Sequence, residues 1–380
     1  MNRLLSIVIA TKDREYYCIE VIKSLLRLND DRIEICISDN SSTQTIKEFV
    51  FNLNRENIEY TYIGENISSI DNFNFAMDLA KGEYITLLGD DDIILPSAIE
   101  IVEWAQKNNI DAVSSRNVCT YFWPGSNHDY PNGALIIPAF SNVNKEINDK
   151  LELIKLLRGG IVNYMFYDLP KSYHGFVKRT IMMEIKNITG NYYGALSPDI
   201  FSVVSISLLS KKHYLVDRPF TIAGVCKKST TANQIDGTHC GKLEDMPHLQ
   251  NRKSEYIWDE NIPKFYSVTT TWGDSGLNAL GAMKYDQYRK YFNMYPLLAQ
   301  AILMNRNSIF SLALKQTDEL RKIKEISFLI FWCRIIISSI YLIYDKIKRQ
   351  LVNRFIHKNQ YFLNIDHIYE CVEILKKSNV

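Results

Sequence analysis

Between residues 4 and 115 the chain alternates short, nearly continuous apolar runs with stretches whose apolar residues recur at helical spacing. Few folds accept that order. An apolar run of four to eight residues bounded by polar turns is too short for a buried helix, and it reads as a strand covered on both faces. Helical stretches between such strands make βα units, whose crossovers build a parallel sheet with helices on both sides. Strands are expected over 4–10, 33–38, 58–63, 84–88 and 111–115, with helices over about 15–28, 44–54, 69–81 and 96–108. Pro96 suits the first turn of the last of these helices, and Gly82 suits the end of the one before it. The expected class is α/β, with a mainly parallel sheet.

A chain of 380 residues is long enough for two to three domains at roughly 150 residues each. Pro124, Gly125, Pro131, Gly133 and Pro138 mark a loop-rich passage within 116–240 that elaborates the sheet unit. A boundary near 240 is expected, giving a unit over 1–240 with halves 1–115 and 116–240, then a mostly helical region over 241–380. The formal net charge is +1, which argues against a whole-chain grip on nucleic acid. Seven scattered cysteines without a C-x-x-C pair argue against a disulfide framework or a cysteine zinc site, and fit a reducing compartment. The apolar run after Met1-Asn2-Arg3 is followed at once by Lys12-Asp13-Arg14-Glu15, and a strand explains it better than a secretory leader does.

Residues 326–344, within a helical stretch expected near 318–350, have the length of a membrane span, but Arg334 lies near their middle, where a charge costs several kcal/mol. On a helix Ser327, Arg334, Ser338, Tyr341 and Asp345 make one narrow polar stripe, and Arg321, Lys322, Lys324, Lys346, Lys348, Arg349 and Arg354 bracket the run. A helix lying in the interface of an anionic membrane fits this pattern. A buried helix or an oligomer seam is the alternative.

In open α/β sheets ligands bind beyond the carboxyl ends of the strands. The segments following the expected strands are Thr11-Lys12-Asp13-Arg14, Asp39-Asn40-Ser41-Ser42, Gly64-Glu65-Asn66 and Gly89-Asp90-Asp91-Asp92. No glycine follows the first strand and no G-x-x-x-x-G-K-[ST] stretch occurs, which removes the dinucleotide fingerprint and the P-loop. A nucleotide held by acidic and amide side chains remains, with three aspartates able to hold a hard divalent cation, Mg²⁺ or Mn²⁺. A solvated turn capping the helix at Pro96 is the plainer account of Asp90 to Asp92, and an Asx turn is the plainer account of Asp39.

These residues carry a resemblance. Ser6-Ile7-Val8-Ile9-Ala10-Thr11-Lys12-Asp13-Arg14, Ile37-Ser38-Asp39-Asn40-Ser41-Ser42, Asn66 with Asn74, Gly82-Glu83-Tyr84-Ile85 and Gly89-Asp90-Asp91-Asp92 are similar to the motifs of family 2 glycosyltransferases with the GT-A fold, of the bacterial surface-polysaccharide type. The match covers roughly residues 4–115, and more faintly extends to about 230. The resemblance implies a nucleotide-diphosphate sugar donor, with UDP- or dTDP-sugars favoured, a divalent metal and inversion at the anomeric carbon. By the same resemblance Asp39 contacts the nucleobase, and Thr11, Asp13, Asn66 and Asp90 line the donor-nucleotide pocket. Asp91 and Asp92 hold metal, with His239 a possible further ligand. Gly89 stands where many members have the first aspartate, and Phe73 where an arginine often precedes Asn74.

Members also keep an acidic residue at a helix start, some hundred residues beyond the metal motif, as the general base. Asp199 after Gly194-Ala195-Leu196-Ser197-Pro198 fits that place, better than Asp217 in a strand-like edge. His174 is a second metal or diphosphate candidate. Lys227, Lys228, Ser229 and Thr230 are placed to close over a diphosphate, and Tyr121, Trp123 and Tyr130 to stack an acceptor sugar. The expected function is transfer of a sugar to a lipid-linked glycan, in O-antigen or capsule synthesis, by a cytoplasmic enzyme peripheral to the inner face of the plasma membrane, with a homo-oligomer possible. A catalytically silent scaffold or glycan-binding protein on the same sheet is the rival reading. A sugar nucleotidyltransferase is a poorer one, because that class uses a glycine-rich loop after the first strand.

Overall fold

The computed structural model describes residues 3–227, 240–246, 249, 255–355 and 359–378. Its first four strands, β1 (Leu5–Thr11), β2 (Ile33–Asp39), β3 (Ile58–Tyr62) and β4 (Tyr84–Leu88), lie side by side in the order β3-β2-β1-β4, all parallel. The helices α1 (Glu15–Leu26), α2 (Thr45–Leu53) and α3 (Ser69–Asp78) cross between them, and α4 (Ser97–Lys107) follows β4. Side chains alternate across the sheet as strand geometry requires. Leu5, Ile7 and Ile9 join Ile33, Ile35 and Ile37 under α1, α2 and α4, whereas Val8 and Cys36 enter a second cluster with Ile70, Ala76 and Met77 of α3. Burial on both faces is why these strands read as continuous apolar runs.

Beyond β4 the sheet is mixed rather than mainly parallel. The strand β10 (Gly175–Lys178) is inserted antiparallel between β4 and β6 (Ala112–Ser115). Next to β6 run β11 (His213–Val216), parallel to it, and β9 (Asn144–Ile147), antiparallel at the edge. Strands of four residues carry little periodic signal, and their pairing is decided by the neighbours they pack on. Gly82 does not close α3 but enters β4: its N–H donates to Ser6 Oγ and to the buried Glu34 carboxylate.

The loop-rich passage forms a second, five-stranded sheet in the order β15-β8-β7-β12-β5, made of β5 (Ile93–Ile94), β7 (Cys119–Phe122), β8 (Ala134–Ile137), β12 (Thr221–Val225) and β15 (Gln360–Leu363). Tyr121 and Trp123 are core residues of this sheet. Trp123 Nε1 donates to the Asp91 carbonyl at 3.0 Å and Tyr121 Oη to the Ile365 carbonyl at 3.0 Å, so neither is free to stack a sugar.

The helices α5 (Asp149–Arg158), α6 (Arg179–Thr189) and α7 (Pro198–Leu209) pack on the main sheet, and β13 (Cys240–Lys242) pairs with β14 (Phe265–Ser267). They are followed by α8 (Val268–Ala282), α9 (Met294–Met304), α10 (Phe310–Ile323), α11 (Phe328–Phe355) and α12 (Glu370–Lys377). Residues on both sides of position 240 share one core: Val8, Ile85 and Val203 belong to the same cluster as Leu277, Leu298 and Phe331. The C-terminal region is helical but not separate, since β15 and α12 return to the second sheet. Phe331 is wholly buried, so Phe331→Ala should lower the stability of the whole chain by about 3–5 kcal/mol in urea unfolding. A loss confined to an early, separate transition would show that the C-terminal helices fold apart from the sheet.

Candidate active site

At the end of β4 the chain turns through Gly89, Asp90, Asp91 and Asp92, and all three carboxylates are buried. Thr11 Oγ1 donates to Asp90 Oδ2 at 2.7 Å. The Arg14 guanidinium spans the other two contacts, 2.9 Å from Asp90 Oδ1 and 2.7 Å from Asp91 Oδ2, and the Cys226 N–H also donates to Asp91 Oδ2 at 3.2 Å. Asp92 is held differently: Oδ2 accepts from the Gly89 N–H at 2.8 Å and from Tyr173 Oη at 2.7 Å, and Oδ1 accepts from the Gly224 N–H at 2.6 Å. Burial pushes all three carboxyls above the ordinary range, their mutual repulsion adds to it for Asp90 and Asp91, and Arg14 and the donors oppose the shift. Two glycines make this packing possible. A Cβ on Gly89 would stand 2.6 Å from Asp92 Oδ2, and one on Gly224 would stand 1.8 Å from the Asp91 carbonyl oxygen.

This geometry bears on the metal. Asp90 and Asp91 converge on one cationic group, which is the arrangement a divalent ion needs, with further oxygens from a diphosphate. Asp92 differs in what holds it: its oxygens are met by two backbone N–H groups and a phenol, which brace the turn, and Arg14 does not reach it. Among the described residues no group of three or more His, Cys, Asp or Glu side chains is arranged as a metal cage. His239 lies outside the described residues. His174 is buried with Nε2 3.6 Å from Asp92 Oδ2 and Nδ1 3.1 Å from Thr221 Oγ1. Burial, reinforced by Lys171, lowers its pKa to about 3, so it stands neutral beside Asp92.

The other candidates for the donor nucleotide lie along the same sheet edge. Asp39, wholly buried, accepts from the Ser41 N–H at 2.9 Å in an Asx turn and from Tyr60 Oη at 2.7 Å. Asp13 accepts from the Ser42 N–H at 2.7 Å and Ser42 Oγ at 2.8 Å, which ties the loops after β1 and β2 together. Asn66 is exposed and accepts from Lys12 Nζ at 2.5 Å. Thr11, Asp13, Asp39 and Asp90 thus share one rim, and Asn66 marks its outer end. Lys227 is exposed, and Lys228, Ser229 and Thr230 lie outside the described residues.

Asp199 sits in the first turn of α7, half-buried. Its approach is fastened by Asn74, whose Oδ1 accepts from the Tyr192 and Tyr193 N–H groups at 2.8 and 3.0 Å and whose Nδ2 donates to the Tyr193 carbonyl at 2.8 Å. Phe73 packs edge-on against the Tyr193 ring. Burial raises the Asp199 carboxyl to about 6, a hydrogen bond from Tyr164 lowers it, and the charge of Asp92 raises it. Burial and the charges of Asp92, Asp91 and Asp199 push the Tyr173 phenol, which donates to Asp92, well above its ordinary range. Asp217, the poorer candidate, is taken by Ser141 and Asn117.

The sequence alone assigns no role to Arg14, Tyr164, Tyr173, Gly224 or Cys226. Arg14 stood inside the quoted motif and was a visible cation near three aspartates. The other four come from distant segments with no local pattern to mark them.

Removing Arg14 leaves buried carboxylates without their cation, a loss of about 3–5 kcal/mol. Arg14→Gln should therefore be destabilised by roughly that amount at pH 7.5 in chemical unfolding. Folded-state carboxyl pKa values raised above the unfolded ones penalise stability as pH rises, so the deficit should shrink on going down to pH 5, where the aspartates protonate. A deficit independent of pH would place the role of Arg14 elsewhere.

Residues 6–155 match the family described as Glycosyl transferase family 2. An uncharacterized glycosyltransferase of Mycoplasma genitalium, MG060, is 28% identical over 207 residues, which cover 50% of this chain and 65% of that protein. The GalNAc(5)-diNAcBac-PP-undecaprenol beta-1,3-glucosyltransferase of Campylobacter jejuni is 23% identical over 254 residues, 65% of this chain and 74% of that protein. Among solved structures, residues 1–349 of S. aureus TarS in complex with UDP-GlcNAc align with a TM-score of 0.48 and 13% identity, covering 86% of this chain and 93% of that one. The match thus spans just under two thirds of the Mycoplasma relative's length. Residues 6–155, with the aspartate edge among them, carry a family 2 glycosyltransferase domain.

Proposed function

We propose that this protein moves a sugar, with inversion, from a uridine or thymidine diphosphate sugar to a hydroxyl of a lipid-linked glycan at the cytoplasmic face of a bacterial membrane, in surface polysaccharide synthesis. The observation that carries this reading is the turn Tyr164–Phe166. Tyr164 points inward and donates to Asp199. Met165 and Phe166 point outward and are exposed, and the Phe166 ring lies under Arg349 of α11. The candidate base is therefore one turn away from an apolar surface. The Campylobacter relative is named for an undecaprenol-linked substrate, in keeping with this arrangement.

In the reaction the acceptor oxygen bonds to the anomeric carbon, the bond from that carbon to the diphosphate breaks, and the nucleoside diphosphate leaves with the electron pair. Asp199 takes the acceptor proton. With its carboxyl near 6 it is mostly ionised at neutral pH yet more basic than an ordinary aspartate, which suits a general base. Asp39, Asp13, Thr11 and Asn66 hold the nucleoside end. A divalent cation, Mn²⁺ or Mg²⁺, held by Asp91 with Asp90 would neutralise charge on the departing diphosphate. Asp92 keeps that pair in place, and Arg14, displaced from it, can pair with a phosphate oxygen.

The membrane part rests on α11. Its inward seam buries Phe331 and Ile335. Its outer face exposes Leu329, Ile330, Ile336, Ile337, Ile340 and Ile347, all at least half exposed. Residues Phe328–Val352 are long and apolar enough to cross a membrane by length and composition, but one face is packed on the protein, and a helix lying in the interface with its apolar face in lipid accounts for both features. The polar stripe flanks the packed seam: Arg334 contacts Tyr295, and Asp345 pairs with Arg349.

Incubation with a panel of nucleotide-diphosphate sugars and Mn²⁺ tests the reading. Asp199→Asn should keep donor binding and lower turnover by a factor on the order of 10² to 10⁴. In the native protein kcat/KM should rise with pH through an apparent pKa near 6, because Asp199 must lose its proton to act. Tyr164→Phe removes a hydrogen bond that favours the charged form, so this limb should move to higher pH. An unmoved limb would remove Asp199 from the base role. Silence across the panel, with no nucleotide binding by calorimetry, would favour the scaffold or glycan-binding reading.

A further inference from the structure

An open cavity of about 780 Å³ lies between the end of α5, the segment leading into α9 and the start of α11. Arg158, Arg289, Lys290, Lys324 and Arg334 line it, and among the described residues no carboxylate does. Two of these five cations are neutralised from outside the cavity. Arg289 lies 2.6 Å from Asp259 and 2.8 Å from Asp286, and Lys324 lies 3.1 Å from Glu260.

Arg158, Lys290 and Arg334 make no ion pair among the described residues; aromatic rings position them instead. Arg158 and Lys290 stand 5.6 and 5.1 Å from the Tyr291 ring centre, and Arg334 stands 5.2 Å from that of Tyr295, with a hydrogen bond to its Oη at 3.3 Å. A ring face orients a cation without cancelling its charge or using up all its N–H donors. Asn293, Met294 and Tyr295, at the start of the eleven-residue α9, also line the cavity; the Asn293 side chain caps the Tyr295 N–H at 3.2 Å, so this helix end adds the field of its dipole and the side-chain cations supply the donors. Like charges gathered in this way repel one another, and a bound polyanion relieves the repulsion.

We infer that this cavity binds the phosphate headgroup of a membrane lipid, a phosphomonoester or a diphosphate, whose chains run along the apolar face of α11. The inference rests on the reading of α11 as an interfacial helix. Multiple free donors and three uncompensated charges suit a headgroup carrying at least two charges better than a singly charged diester. A lipid rather than a free phosphate is indicated by the rim. Arg334 is flanked one turn away on either side by the exposed Ile330 and Ile337, and Ile326 lines the cavity itself. A headgroup seated there leads directly onto exposed apolar helix. Of the basic residues bracketing the helix, Arg321 and Lys322 share Asp318 and Arg349 pairs with Asp345, whereas Lys346 and Lys348 are exposed but do not line the cavity.

Flotation of the full chain with phosphatidylcholine vesicles that contain either phosphatidic acid or phosphatidylglycerol, at matched surface charge, tests the inference. Binding should be about tenfold tighter to phosphatidic acid, the scale that charge-assisted bonds from two or three cations supply. The double variant Arg158→Gln/Lys290→Gln, and separately Arg334→Gln, should lose this preference while retaining donor hydrolysis and the native melting temperature. Equal binding to both vesicle types, unchanged in the variants, would overturn the headgroup site and leave α11 on the membrane. Inorganic pyrophosphate that binds as tightly as the vesicles, through the same residues, would overturn the lipid source. Absence of binding to any vesicle would overturn both the site and the membrane reading, whereas transfer to a soluble acceptor analogue would still report on the chemistry separately.

Discussion

Taking Asp90, Asp91 and Asp92 out of water at the end of β4 costs several kcal/mol for each ion that stays charged, and their proximity adds repulsion. The surrounding chain offsets this with donors drawn from four separate parts of the sequence. Thr11 and Arg14 come from β1 and its following turn, Gly89 from the turn after β4, Tyr173 from the approach to β10, and Gly224 and Cys226 from β12 and just beyond it. Each contact pins an element. The main sheet and the second sheet meet at this turn, where the Asp91 backbone also takes the Trp123 indole. The acidic edge therefore holds two sheets together.

A division of labour within the triplet follows. Asp92 is held by two backbone N–H groups and a phenol and behaves as a keystone, whereas Asp90 and Asp91 share a guanidinium that a ligand or a cation can replace. The same dense packing keeps side chains off Gly89 and Gly224. Asp199 is placed by a different set of contacts, the Asn74 clamp on residues 192–193 and the Tyr164 hydroxyl. Because Tyr164 belongs to a turn whose next two residues face outward beside α11, Asp199 and the exposed apolar helix are parts of one local structure. The cationic cavity near the other end of that helix extends the same surface.

Much of this was legible before any coordinates. The first four strands and their helices were readable because burial on both faces forces continuous apolar runs, and the edge at their carboxyl ends was readable because that is where a parallel sheet leaves space for ligands. What escaped has a common cause. The insertion of β10, the second sheet built from 116–140, and the return of β15 and α12 to it all depend on four-residue strands and long-range pairing, which leave no periodic trace. Trp123 and Tyr121 read as loop aromatics for the same reason, and they lie in a core.

The sequence by itself determined the α/β class, the residues that collect on the ligand edge, and the presence of one long apolar helix near the C-terminus, because each of these is written in local composition and spacing. Only the tertiary structure decided which aspartates share the Arg14 guanidinium and which is held by backbone and phenol donors. That outcome depends on where Arg14, Gly224 and Tyr173 arrive in space, and segments far apart in the chain meet there. It also decided that the apolar face of α11 points outward while Phe331 and Ile335 point in. A helix with an apolar circumference has no preferred inward side until a neighbouring helix buries one of them.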